Sequence, residues 1–484
     1  MKAIDKKQLK NALITLLIAV FVLIAFMVYT DKDNVNKPRK FYRSGKCIKC
    51  GDIPYASPAK VFVINTKDEM VIKPKFEYIE PFQDGKAIVK EGNKEGLINK
   101  KGRYLLRPVF DDIDSCYNRV CIVREGSFFG LTTTKGKYIL KARPGQSFEY
   151  KEGYIKVKQA NRYGFYKDNG RLVQKPFYQY AENFSENYAL VEKDNKFGYI
   201  NTSGRIVILV EYQKALSFSE GLAAVQVNGK WGYINRRGEI VINPQFESAF
   251  EFSNGLAVIY IDGKYGYIDK TGEIVINPKY DSAKKFDGPV AQVYTNNEWN
   301  YINKKGEIIS SLYSYDNVDT RIEFYEGLAK LKFNDKWGYI NRDGEVVIEP
   351  KYTNVYNFSD GFACIYDNNE YGYIDRAGNI VIEPKFQSCS DFINGVAIVK
   401  SYSYSKEKKT YDNEARYGLI DKTGNYILQP AYESINQFSD GLALFKNKNK
   451  YGYIDDKGKV IISAKYIYAT DFIDGLAIVK SNKY

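Results

Sequence analysis

Histidine is absent from this chain, and with it most of the familiar routes to catalysis. No Ser-His-Asp or Cys-His nucleophilic system, His-ligated zinc site or imidazole pH switch can be assembled. Carboxylate, lysine, tyrosine and cysteine chemistry remain. Cys47-Ile48-Lys49-Cys50-Gly51 has the form of half a zinc knuckle, so Cys47 and Cys50 are the candidate metal ligands. A closed zinc site needs four ligands, and no second Cys-x-x-Cys follows, so a metal here would be shared between two chains. In an oxidising compartment the same pair reads as a disulfide. Cys116 and Cys121 stand five apart in one repeat, whereas Cys364 and Cys389 fall in different repeats. Asp111, Asp112 and Asp114 form an unrepeated acidic cluster. A glycosidase would need two such acids facing each other at about 5 to 10 Å. Close acids on one segment read more simply as a solvated turn. No catalytic residue, cofactor site or bound cofactor is assigned, and a non-enzymatic role is expected.

The scaffold that must carry these residues is periodic. A glycine that follows an aromatic in most copies recurs at Gly96, Gly130, Gly164, Gly198, Gly232 and Gly266, always 34 residues apart. It returns at Gly338, Gly372, Gly418 and Gly452, with Asn300 keeping the register and Phe62 marking a degenerate first copy. Alternation in Leu-Ala-Ala-Val-Gln-Val (222–227) and the aromatic-rich Trp-Gly-Tyr-Ile-Asn (231–235) reads as two strands. Asn228-Gly229 supplies a tight hairpin turn between them. An Asn or Asp then opens a second turn that closes on a glycine, such as Gly238 or Gly344. Proline, as at Pro244, is expected to end a third strand. The later aromatics, Phe218 and Phe252 among them, would pack between neighbouring units.

Lys230-Trp231-Gly232-Tyr233-Ile234-Asn235 and Lys336-Trp337-Gly338-Tyr339-Ile340-Asn341 resemble the WG-containing repeat of bacterial proteins. The resemblance runs from about Val61 to Tyr484 and implies a binding or scaffolding array. The expected fold is all-β: about twelve 34-residue, three-stranded β-meander units, each too small to bury its own face and therefore stacked on its neighbours. Propellers usually hold about four to eight blades, so an open curved array is preferred and a propeller-like ring is the alternative. The chain begins its repeats at a second strand and ends after a first one, so the last strand could complete the first unit.

Ala12 to Tyr29 is apolar except for Thr15, nearly long enough as a helix to cross a bilayer, and no small-residue cleavage site follows it. It reads as a transmembrane signal anchor (12–29) behind a basic cytoplasmic tail (1–11). A linker with the Cys47–Cys50 knuckle (30–60) and the repeat domain (61–484) follow. Long domains cross membranes largely regardless of charge, so the repeats are expected outside the cytoplasmic membrane. The net charge of +13 comes from lysines scattered through turns. That pattern keeps a surface solvated and argues against nucleic acid. Protein, cell-envelope polysaccharide or an anionic polymer are the expected partners, besides the membrane that holds the helix. A glycan-active enzyme, or a cytoplasm-facing array with a zinc knuckle, are the alternatives. Twelve additional residues near Ser401 to Ala415 form a basic, tyrosine-rich hairpin tip.

Overall fold

The computed structural model describes residues 60–312, 323–333, 335–402, 404–405, 410–411 and 414–482. The proposed anchor, the linker and both Cys47 and Cys50 lie outside them. All regular structure in the described residues is β. Each repeat forms one antiparallel sheet, here called a blade. Blade 5 shows the plan, with strands Lys214–Ala215, Leu222–Val227, Lys230–Asn235 and Ile240–Phe246 hydrogen-bonded in chain order. Twelve blades follow this plan; blade 8 has three described strands. The unit is therefore four-stranded, not three-stranded. The strand that the sequence hides is the first, often two residues long (Tyr180–Ala181 in blade 4), too short to show alternation.

Blade 12 joins the two ends of the repeat domain. Tyr468–Ala469 and Leu476–Lys480 pair in one sheet with Val61–Asn65 and Met70–Phe76, in register from Phe62↔Val479 to Asn65↔Leu476. The repeats form a closed propeller-like ring, and the open array preferred from the blade count does not form. An open array would leave the edge of Val61–Asn65 unpaired and the apolar faces of both terminal segments in water. Closure buries Leu476 and Ile478 against Val61 and Val63. A periodic contact crosses the junction as well. Asp440 accepts the Gly475 N–H at 2.7 Å, and Asp474 accepts the Gly85 N–H at 3.2 Å as though the chain were continuous.

The core lies between blades. Tyr233, Ile242 and Phe246 of blade 5 pack on Ala249, Phe252, Ala257 and Ile259 of blade 6, and equivalent clusters recur round the ring. Tyr233 is fully buried and donates its hydroxyl to the Phe250 carbonyl of the next blade at 2.7 Å. Tyr199, Tyr267, Tyr339, Tyr373 and Tyr453 repeat that link. Burial pushes the Tyr233 phenol well above its ordinary range, so it stays a neutral donor. Tyr233→Phe keeps the ring but strands a buried carbonyl, and should destabilise by about 1 to 2 kcal/mol in urea titration. Unchanged stability would show that the hydroxyl link contributes nothing.

The motif glycine is required by close approach. Tyr265 pairs with Tyr280 and Tyr267 with Ile276, so two steps on the third strand oppose four on the fourth, which bulges across Gly266. A Cβ at Gly266 would stand 2.6 Å from the Ile276 carbonyl oxygen and 2.7 Å from the Pro278 nitrogen. Gly232 and Gly338 face the same obstruction. Opposite Asn300 the strands run without this shift, whereas opposite Phe62 the shift persists. Proline does not end the strand: Pro244 sits inside Ile240–Phe246, in the bulge, where a missing donor is tolerated. Bulge and proline together blunt the exposed sheet edge against pairing with another chain.

The second turn follows the sequence reading. Asn235 Oδ1 accepts the backbone N–H of Arg237 and Glu239, and Gly238 adopts φ 82°. Where Asp replaces Asn, the same donors stabilise the carboxylate. Thr271, Asn379 and Thr423 side chains, with nearby backbone N–H groups, hold Asp269, Asp375 and Asp421 below the usual carboxylate range. Asp360 is held low by Lys422, and Asp111 by Lys94. Glu95, Glu182 and Asp471 are shifted upward by burial and act in the opposite sense. Depressed carboxylates stabilise the fold above their unfolded values and lose that contribution as pH falls through the folded ones. Because the depressed group is larger, the melting temperature should fall as pH drops from about 5 to 3. A midpoint that rises over that window would contradict the assignment.

Candidate functional site

The residues singled out for chemistry resolve mostly into structure. Cys116 and Cys121 face each other across the first hairpin of blade 2 and form a disulfide, with Cα atoms 4.0 Å apart. Cys364 in blade 9 and Cys389 in blade 10 form another, a staple between neighbouring blades. Sequence separation gave no hint of either pairing, because the second depends on how blades stack. Asp111 accepts the Gly126 N–H at 2.7 Å and pairs with Lys94 at 2.8 Å. Glu77, Gln179, Gln213 and Glu247 clamp the same turn in other blades. Asp112 pairs with Arg124, and Asp114 is exposed and accepts from Ser115. Each of the three acids is engaged by a different neighbour. Trp231 and Trp337 are half-buried third-strand residues beside the motif glycine. Among the described residues no group of three or more acids or cysteines could hold a metal ion.

A different set of residues converges on the inner edge of the ring. First strands of neighbouring blades, and the residues just after them, touch there: Tyr117 stacks on Tyr150 at 3.8 Å, and Asn436 donates to Asp471 at 3.0 Å. Glu182 of blade 4 and Glu251 of blade 6 line one cleft although a blade stands between them, so these edges converge toward the inside of the ring. Along blades 3 to 6 this edge opens into a cleft of 370 Å³. Lys151, Tyr180, Glu182, Asn183, Ser217 and Glu251 supply its polar lining; Leu190, Phe197, Leu216 and Phe218 supply the apolar part. Short first strands hold these side chains, and the Tyr199 hydroxyl fixes the backbone of Leu216 from behind at 2.7 Å.

The charges in the cleft are unevenly paired. Glu149 binds Lys156 at 2.9 Å and accepts from Asn183 at 2.5 Å. Burial opposes its ionisation, but Lys156 and Asn183 override burial and hold Glu149 low. Glu182 accepts from the Tyr180 hydroxyl; burial pushes it up, while Lys156 and Lys151 nearby act in the opposite direction. Glu251 is half-buried and makes no ion pair with a described residue. Hydroxyls, an amide, carboxylates with a lysine beside them and an apolar wall are the equipment of a binding cleft. These residues escaped notice in the sequence because they occupy the one or two positions before the inward Phe, where repeats differ. That variability was the available signal.

The WG-containing repeat model matches this chain at residues 62–94, 96–126, 163–197, 197–231, 231–265, 265–299, 301–337, 337–371, 371–402, 417–451 and 451–484. The chain belongs to the WG-containing repeat family. No curated protein sequence matches it. Among solved structures, a eukaryotic initiation factor aligns at 12% identity and TM-score 0.30, over 72% of the WG-repeat chain and 96% of its own. PorZ, a surface component of the type-IX secretion system of Porphyromonas gingivalis, aligns at 9% identity and TM-score 0.24, over 82% and 69%. AztD of Citrobacter koseri aligns at 12% and 0.24, over 66% and 92%. Likeness at that level carries no structural weight, and the WG-repeat ring is defined by its own strand pairing.

Proposed function

We propose that this WG-repeat ring is a non-enzymatic binding scaffold, held at a membrane by Ala12–Tyr29 with the repeats on the extracytoplasmic side. Its partner in this reading is a protein or cell-envelope polysaccharide. The cleft across blades 3 to 6 carries the proposal, because it offers hydrogen-bonding groups around an apolar wall. Two disulfides in the described repeats support an oxidising compartment, since cytosolic thiols are kept reduced.

The full chain in detergent, immobilised and exposed to native envelope fractions, should retain envelope protein or polysaccharide. Retention that fails at both low and high salt would remove the scaffold reading. Orientation is checked at Cys47 with a membrane-impermeant thiol reagent on reduced intact cells. Labelling places the repeats outside, and protection until lysis would place them inside.

A further inference from the structure

We infer that the outer edge of blade 4 is a contact between two copies of this chain, set edge to edge about a twofold axis. Elsewhere three devices guard that edge: the bulge, the proline inside it, and polar or lysine side chains round it. Blades 5, 6, 8 and 9 read Asn243-Pro244-Gln245, Asn277-Pro278-Lys279, Glu349-Pro350-Lys351 and Glu383-Pro384-Lys385 there. Blade 4 reads Leu209-Val210-Glu211. It alone has an apolar residue in the first of these places, and it has neither the proline nor the lysine. Leu209 is 67% exposed, more than any other large apolar side chain among the described residues. Ile206 and Val207 beside it are exposed as well. The bulge remains, between Ile208 and Tyr212, so side chains carry the contact more than ladder hydrogen bonds do.

Charge is what selects a second copy as the occupant. Arg205 and Glu211 are both exposed and stand at equal distances on either side of Ile208. Two such strands laid antiparallel about Ile208 set Arg205 of each copy against Glu211 of the other. The same register brings Val207 to Leu209 and Ile206 to Val210, so apolar side chains meet apolar ones. An unrelated strand has no reason to match both ends. This surface lies apart from the inner cleft, and it goes beyond the scaffold reading.

Sedimentation equilibrium of the full chain in detergent tests the contact. An edge contact is small, so a reversible monomer–dimer equilibrium is expected over about 1 to 100 µM chain. The L209N/V210P/E211K variant gives blade 4 the residues of blade 6 and should stay monomeric throughout. R205E is the milder change, should melt like the parent, and should weaken the dimer at least about tenfold by setting carboxylates together. R205E/E211R exchanges the two charges and should restore the parent's dimer constant within about threefold. The assignment is overturned by a parent that stays monomeric or by a dimer that survives in the triple variant. It is overturned equally if the charge exchange fails to restore what R205E lost.

Discussion

A chain ended after Ile467 should unfold with a midpoint lower by about 10 °C or more, and over a broader transition. The truncation removes Tyr468–Ala469 and Leu476–Lys480, the two strands that complete blade 12. Leu476, Ile478 and Val479 are at most 9% exposed, and Phe472 is fully buried against Tyr453. Each large apolar side chain taken out of water contributes about 1.5 to 3 kcal/mol, so these four contribute about 6 kcal/mol or more. The loss extends further, because Val61–Asn65 and Tyr453 then face solvent and the Asp474 contact with Gly85 disappears. In a repeat protein each blade is stabilised by its neighbours, so an opened ring frays from both ends. Ile478→Ala is the gentler version and should cost about 2 to 5 kcal/mol. Calorimetry showing one sharp transition at the parent temperature after truncation would mean that closure adds nothing.

Gly266→Ala should destabilise by about 2 to 3 kcal/mol, well beyond the effect of a turn glycine. The added methyl meets backbone on the bulged strand, Ile276 and Pro278, and backbone cannot swing aside as a flexible side chain can. Gly263→Ala is the control: an added Cβ there has open space, and only its φ of 77° is unfavourable. That strain amounts to about 1 to 2 kcal/mol. Urea titrations of the two variants should rank them in that order. If Gly263→Ala proves the worse, backbone crowding is not what selects glycine after the aromatic.

The two glycine classes show why the local module was legible before the structure was known. Asn235 to Gly238 is a contiguous turn whose hydrogen bonds span at most four residues, so residue type and spacing encode it directly. The same holds for the strands around Trp231 and Trp337. Contacts between units were legible only as a requirement that aromatics such as Phe252 find a partner. The partner itself, Tyr233 at 4.9 Å from the preceding blade, depends on how sheets stack.

Spacing by itself therefore determined the all-β character, the twelve registers and the turn chemistry, because those rest on hydrogen bonds and side-chain alternation within one unit. Only the tertiary structure decided that the ends meet in blade 12, that Cys364 joins Cys389, and that Glu182 and Glu251 share a cleft. Each of those depends on the small rotation from blade to blade, summed round the ring. No single repeat carries that angle in its residues; it emerges from packing across every interface at once.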